Sequence, residues 1–218
     1  MAFPKLLIFD MDGLLFDTER MFMNLRAKVL EKHGYVHREE DYLRTVGTAG
    51  DLLYQILEEI YGPEYPIQTI TQETRMLQKA YIREHGLPVK PGISDLLKWA
   101  AEREIPCCVA SSSQAEFVDE FLKIAGIRDF FSSLIGGDQV THAKPDPEIF
   151  LSACAYNKTK PSDALVLEDS ENGILAASNG GIPVICIPDL KVPKEEVLSK
   201  AEAVFETAAQ VIPWLETR

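Results

Sequence analysis

The chain has 218 residues, of which 46% are hydrophobic and 26% charged, with a net charge of −12. That is an ordinary globular composition, long enough for one large domain or a core with a modest insertion. The acidic balance argues against a nucleic-acid or membrane-surface partner, because phosphate backbones are gripped by clustered Lys and Arg; a small anionic ligand stays open, since a bound cation and one placed lysine can invert the local field.

The first predicted element is a strand over Leu6–Phe9, a continuous apolar run of the kind buried in parallel sheets. Residues 17–33 then carry Met21, Leu25 and Val29 at helical spacing and stop at Gly34. Residues 38–44, 49–61 and 67–85 also read as helices, broken at Gly47, at Gly62-Pro63 and at Gly86. From Gly92 the rhythm alternates. Helices near 93–103, 114–125, 146–156 and 171–179 are followed by apolar runs at Ile105–Ala110, Phe131–Ile135, Ala164–Leu167 and Ile182–Ile187, and the chain closes on another helix or two. Alternating strand and helix implies right-handed βαβ units and a parallel sheet. The first strand therefore belongs with the segment after about residue 90, and the helical stretch between is an insertion placed to cover the carboxyl edge of the sheet. No C-x-x-C pair occurs among the four cysteines (Cys107, Cys108, Cys154, Cys186), so reduced, buried thiols are expected rather than zinc or disulfides. No secretory signal or membrane span is visible, and a cytosolic protein is expected.

Several strands end in polar residues, all on the edge where open α/β sheets keep their ligands. The first ends in Asp10 and Asp12, followed by Gly13; the second in Ser111-Ser112-Ser113; the fourth in Glu168-Asp169. Lys144 stands before Pro145 at a loop-to-helix junction. Each has a plain structural explanation. Asp and Gly suit a turn. Ser113 with Glu116 fits a capping box. Lys144-Pro145-Asp146-Pro147 fits a helix start, and Glu168-Asp169 favours a helix dipole. Together these explanations fall short, because several carboxylates near one point repel unless a cation neutralises them.

Hard carboxylate oxygens with an open position fit Mg²⁺. Asp10, first off the strand and most firmly held, is the best nucleophile, and a carboxylate can attack phosphorus to give an aspartyl-phosphate. Asp12, one residue out, suits proton transfer to the leaving alkoxide and from the attacking water. Ser111 and the backbone N–H of Ser112 suit phosphate oxygens at a helix start. Lys144 would tie Asp10 to the phosphoryl group. The candidate metal set is Asp10, Asp12, Glu168 and Asp169.

In order and spacing, Asp10-Met11-Asp12-Gly13-Leu14-Leu15, Ser111, Lys144-Pro145 and Glu168-Asp169 resemble the four motifs of the haloacid dehalogenase superfamily, in its phosphatase and β-phosphoglucomutase branch. The stretch Phe9–Glu19 is similar to that of pseudouridine-5′-phosphatase-like and other sugar-phosphate phosphatases. The resemblance implies a Rossmann-like, three-layer parallel-sheet core over 1–16 and 87–218, with a helical cap of the C1 type over 17–86. The name-giving dehalogenases lack the second acid, so Asp12 favours phosphoester chemistry. β-Phosphoglucomutases carry a His where this chain has Phe22, and Lys-Gly-x-x-Arg where it has Val46-Gly47-Thr48-Ala49-Gly50, which favours hydrolysis over mutase activity. Gly47 would be the cap-loop glycine, or simply a helix-breaking turn, and Thr48 a specificity contact.

The expectation is thus a Mg²⁺-dependent phosphatase for small phosphorylated sugars or nucleosides, acting as a monomer. A β-phosphoglucomutase-like phosphosugar mutase is the first alternative. A phospho-accepting receiver domain is more remote, because receivers are shorter, uncapped and lack an acid two residues after the acceptor. A nicotinamide dehydrogenase is weaker still, since no G-x-G-x-x-G follows the first strand.

Overall fold

Leu6–Phe9 forms strand β1, and all four of its side chains are fully buried. Burial of this kind is worth about 1.5–3 kcal/mol per large apolar side chain, which is why the run lies mid-sheet. The structure, a computed structural model, describes residues 3–48 and 50–217; Ala49, in the loop quoted above, lies outside them. After β1 come four helices, α1 (Thr18–Lys32), α2 (Glu39–Thr45), α3 (Gly50–Tyr61) and α4 (Ile67–His85). The alternating part follows: α5 (Ile93–Glu102), β2 (Cys107–Ser111), α6 (Ala115–Ile124), β3 (Phe131–Gly136), α7 (Glu148–Tyr156) and β4 (Ala164–Glu168). It continues with α8 (Glu171–Asn179), β5 (Val184–Cys186), α9 (Glu195–Leu198), β6 (Ala203–Val204) and α10 (Val211–Glu216).

The chain divides into two units, Met1–Asp17 with Leu87–Arg218, and Thr18–Gly86. The first is a six-stranded sheet in the order β3-β2-β1-β4-β5-β6, parallel throughout. Consecutive strands run outward from β1 to β3, and the chain then returns to place β4 on the other side of β1. The order therefore reverses beside β1, where ligand crevices form in such sheets. Leu6, Ile8, Cys108, Phe150, Val166, Ile174 and Val184 belong to one buried cluster of this unit. The second unit packs α1 against α4 around Val29, Leu30 and Ile70, bordered by Tyr35, Tyr61 and Tyr65. Arg26 is buried there, with its guanidinium donating to the Tyr65 hydroxyl at 3.0 Å and lying over the Tyr42 and Tyr61 rings.

The differences from the predicted elements have local causes. β2 starts at Cys107 rather than Ile105, because Pro106 has no N–H for a ladder; its carbonyl still accepts from Leu7. β5 shrinks to Val184–Cys186, since Ile182 N–H turns back to the Ala177 carbonyl and Pro183 again lacks a donor. α7 begins at Glu148, whose N–H donates to Asp146 Oδ1 at 2.9 Å, so both prolines precede the helix. α6 is preceded by Gln114, not capped by Ser113; the capping-box explanation of the serines is wrong, and Ser113 is engaged elsewhere. β6 was not anticipated: two partly exposed residues leave no apolar run to read.

Candidate active site

The carboxyl end of β1 delivers Asp10, whose backbone N–H donates to the Leu167 carbonyl of β4 at 3.0 Å. The side chain is 9% exposed. Lys144 reaches in from the loop before α7 and donates to Asp10 Oδ1 at 2.5 Å and to Glu168 Oε1 at 2.8 Å. Its ammonium sits 4.6 Å from the centre of the Phe150 ring. Glu168 Oε2 accepts from the backbone N–H groups of Asp169 and Ser170 and from the Ser170 hydroxyl, at 2.7–2.9 Å. Gly173 makes this possible, because a Cβ there would overlap the Glu168 carboxylate. Ser170 also caps α8, accepting from the Gly173 N–H. Asp10, Glu168 and Asp169 each offer an oxygen within 4.8 Å of the others.

Burial dominates the electrostatics. It pushes Asp10 up to about 7, against the pull of Lys144 and with the help of Glu168. It raises Asp169 well above the ordinary carboxylate range, reinforced by Glu168 and Asp10. Burial opposes the charged form of Glu168 too, but Lys144 and the Ser170 donors outweigh it, and Glu168 ends below its ordinary value. Lys144 is opposed by burial and held above its ordinary value by Asp10 and Glu168. One ammonium thus faces three largely buried carboxylates. The imbalance, the all-oxygen donor set and the mutual reach of the oxygens fit a small divalent cation such as Mg²⁺.

The other expected residues fall as follows. Asp12 Oδ2 accepts from the Ser113 hydroxyl at 2.9 Å, and its carboxylate is not part of the trio. Ser111 is buried at the end of β2, with Oγ accepting from the Ser113 N–H at 3.1 Å, while Ser112 is exposed. Gly47 and Thr48 belong to the second unit; Gly47 has a φ of +76°, and the Thr48 hydroxyl donates to the Thr45 carbonyl at 2.8 Å. Two residues escaped the sequence. Lys90 donates to the Gly13 carbonyl at 2.6 Å and to Asp189 Oδ1 at 2.7 Å. Asp189 follows β5, so the rule that singled out Asp10 and Asp169, an acid just past a strand, was present there as well.

The model of the haloacid dehalogenase-like hydrolases matches residues 7–187, from β1 to just past β5. The chain belongs to this family. Among curated relatives, it is 33% identical over 214 residues to the Drosophila melanogaster protein named "Probable pseudouridine-5′-phosphatase", covering 94% of this chain and 90% of that protein. It is 30% identical over 175 residues to the Thermotoga maritima "Phosphorylated carbohydrates phosphatase", covering 80% and 81% of the two. Among solved structures, CbbY from Rhodobacter sphaeroides in complex with phosphate superposes with a TM-score of 0.81 at 26% identity, covering 95% of this chain and 96% of that one. As a haloacid dehalogenase-like hydrolase the protein is an enzyme. No helix among the described residues is long and apolar enough to cross a membrane.

Proposed function

We propose that the protein is a Mg²⁺-dependent phosphomonoesterase that hydrolyses small phosphorylated sugars or nucleosides through an aspartyl-phosphate on Asp10. The observation that carries this reading is the Lys144 ammonium, seated between Asp10 and Glu168 with Asp169 alongside. A buried aspartate with one oxygen pinned by a lysine is oriented rather than merely paired. Lys144 holds Oδ1, and Oδ2 attacks phosphorus while the bond to the leaving oxygen breaks. Asp12, steadied by Ser113, delivers a proton to the leaving alkoxide. It then takes a proton from water as that water attacks the acyl-phosphate, which releases Asp10 and inorganic phosphate. Ser111 and the Ser112 N–H, at the end of the neighbouring strand, receive phosphoryl oxygens.

Asp10 and Asp169 would hold the Mg²⁺. Glu168 has both oxygens committed, one to Lys144 and one to three donors, so it would steady the site from behind. Asp12, also in the expected ligand set, already spends Oδ2 on Ser113. When bound, the ion neutralises charge on the transferring phosphoryl group. The relatives named "Probable pseudouridine-5′-phosphatase" and "Phosphorylated carbohydrates phosphatase" support the substrate class. A specificity role for Gly47 and Thr48 rests on the motif resemblance alone.

A chromogenic phosphate monoester, assayed with Mg²⁺ and with a chelator, tests the proposal. Ion-dependent release of phosphate is expected, and full activity in Asp10→Asn would end it. A mutase would instead interconvert sugar phosphates when primed by a bisphosphate, with little phosphate set free. A receiver domain would keep its acyl-phosphate for hours.

A further inference from the structure

Asp189 has one oxygen with a partner and one without. Oδ1 accepts from Lys90 at 2.7 Å. Oδ2 is buried and, among the described residues, finds no hydrogen-bond partner, although the side chain is only 10% exposed. Buried carboxylate oxygens are almost always satisfied, so an orphan beside an acidic cluster points to a donor that binds there. Its direction is fixed by Gly13. A Cβ built on Gly13 would overlap the Asp169 carboxylate and stand 3.3 Å from Asp189 Oδ2. The two carboxylates therefore approach the same point above the backbone, and Gly13, at a φ of +82°, is bare there.

We propose that the Lys90–Asp189 pair positions the ion site: Asp189 Oδ2 accepts a hydrogen bond from a water in the shell of the cation held by Asp169, while Lys90 fixes the pair to the Asp12-Gly13 backbone. The inference rests on the ion-dependent reading above. Mg²⁺ binds through few carboxylates and keeps several waters, and each water needs an acceptor. Lys90 supplies the countercharge that lets a third acid stand next to Asp169. It also holds the Gly13 carbonyl at 2.6 Å, and its own N–H donates to the Leu15 carbonyl at 2.9 Å, so the pair is tied to the loop that carries Asp12. Asp189 is a positioning residue here; it does not touch the reacting atoms. Partners that orient an ion's immediate ligands typically change metal affinity about 10–100-fold when removed.

The experiment is a Mg²⁺ titration of the metal-free full chain by calorimetry, alongside melting curves without the ion. Asp189→Asn is expected to weaken Mg²⁺ affinity roughly 10-fold or more. The double variant Lys90→Met/Asp189→Leu removes both charges together, which keeps the buried position neutral should the single variant fold poorly. It is expected to melt near the wild-type temperature without Mg²⁺ and to bind the ion more weakly. A purely structural pair would give the reverse, a lower metal-free melting temperature with wild-type affinity, and that result overturns the inference. If the wild-type chain itself fails to bind Mg²⁺, the phosphatase reading falls with it; if wild type binds and both variants match it, only this inference falls.

Discussion

Two acidic groupings share one geometric property and differ in everything else. Asp10, Glu168 and Asp169 place one carboxylate oxygen each within 4.8 Å of one another, and a ring nitrogen of His142 lies equally close to carboxylate oxygens of Asp146 and Glu148. The first trio is largely buried and the second largely exposed. In the exposed group, Glu148 accepts the backbone N–H groups of Thr141 and His142 at 2.9 and 2.7 Å, and Asp146 accepts from the Glu148 N–H. Those donors hold Glu148 below its ordinary value. Its charges are satisfied by the start of a helix, and water screens the rest. In the buried group, burial raises Asp10 and Asp169, and one lysine cannot neutralise three acids. Proximity of carboxylates says little until solvent is removed; burial turns the same spacing into a demand for a cation.

That contrast can be broken most sharply at Asp10. Replacing it with Asn keeps the shape and removes the proposed nucleophile, and phosphate release is expected to fall by roughly 10⁴-fold or more. Single-turnover assays check this, with Glu148→Gln at the exposed trio expected to match wild type. Next comes Asp12→Asn, which removes the proposed proton transfer but not the proposed attacking group. Its kcat is expected to drop about 10²–10⁴-fold, and the loss should be smaller for substrates whose leaving group is a good phenolate. A phosphate ester series with graded leaving groups measures that slope.

Ion binding sharpens the comparison further. An aspartate whose folded value is raised favours the fold at low pH and loses that contribution as pH climbs through the raised value. Asp10 and Asp169 both behave this way, while the opposite contribution of Glu168 is lost only in acid, as pH falls through its lowered value. Mg²⁺ needs the ionised carboxylates, so its stabilisation of the metal-free protein should be larger at about pH 8 than at about pH 6. Melting curves with and without Mg²⁺ at the two pH values test the sign. Equal shifts would mean that the buried trio is not the binding site. The smallest effect is expected at the exposed trio, where His142→Ala should leave the Mg²⁺-induced shift unchanged.

Most of the frame was legible in the residues. β1, α4 and α8 match the expected spans because unbroken apolar runs and helical spacing, bounded by glycine and turn residues, leave little choice. Asp10 and Asp169 were legible because several acids gathered at one sheet edge repel without a cation; Lys144, at a loop-to-helix junction, was legible only through the order and spacing of the motifs. Ser113 was misread. Its local pattern, a serine three residues before a glutamate, describes a helix cap, and only the fold shows its hydroxyl turned to Asp12. Asp189 was missed because a lone acid after a short strand is an ordinary loop residue until Lys90 and Asp169 are brought beside it.

The sequence by itself determined the alternation of strands and helices and the edge of the sheet on which Asp10, Glu168 and Asp169 gather. These follow from local apolar patterning and from residue types at strand ends, which act over a few positions. The tertiary structure alone decided that β4, far along the chain, lies directly against β1. That pairing sets Glu168 and Asp169 beside Asp10 and buries them together, and the fold brings Asp189 Oδ2 to Gly13 beside Asp169. Such effects depend on which distant segments exclude water from one another, and no local pattern encodes that.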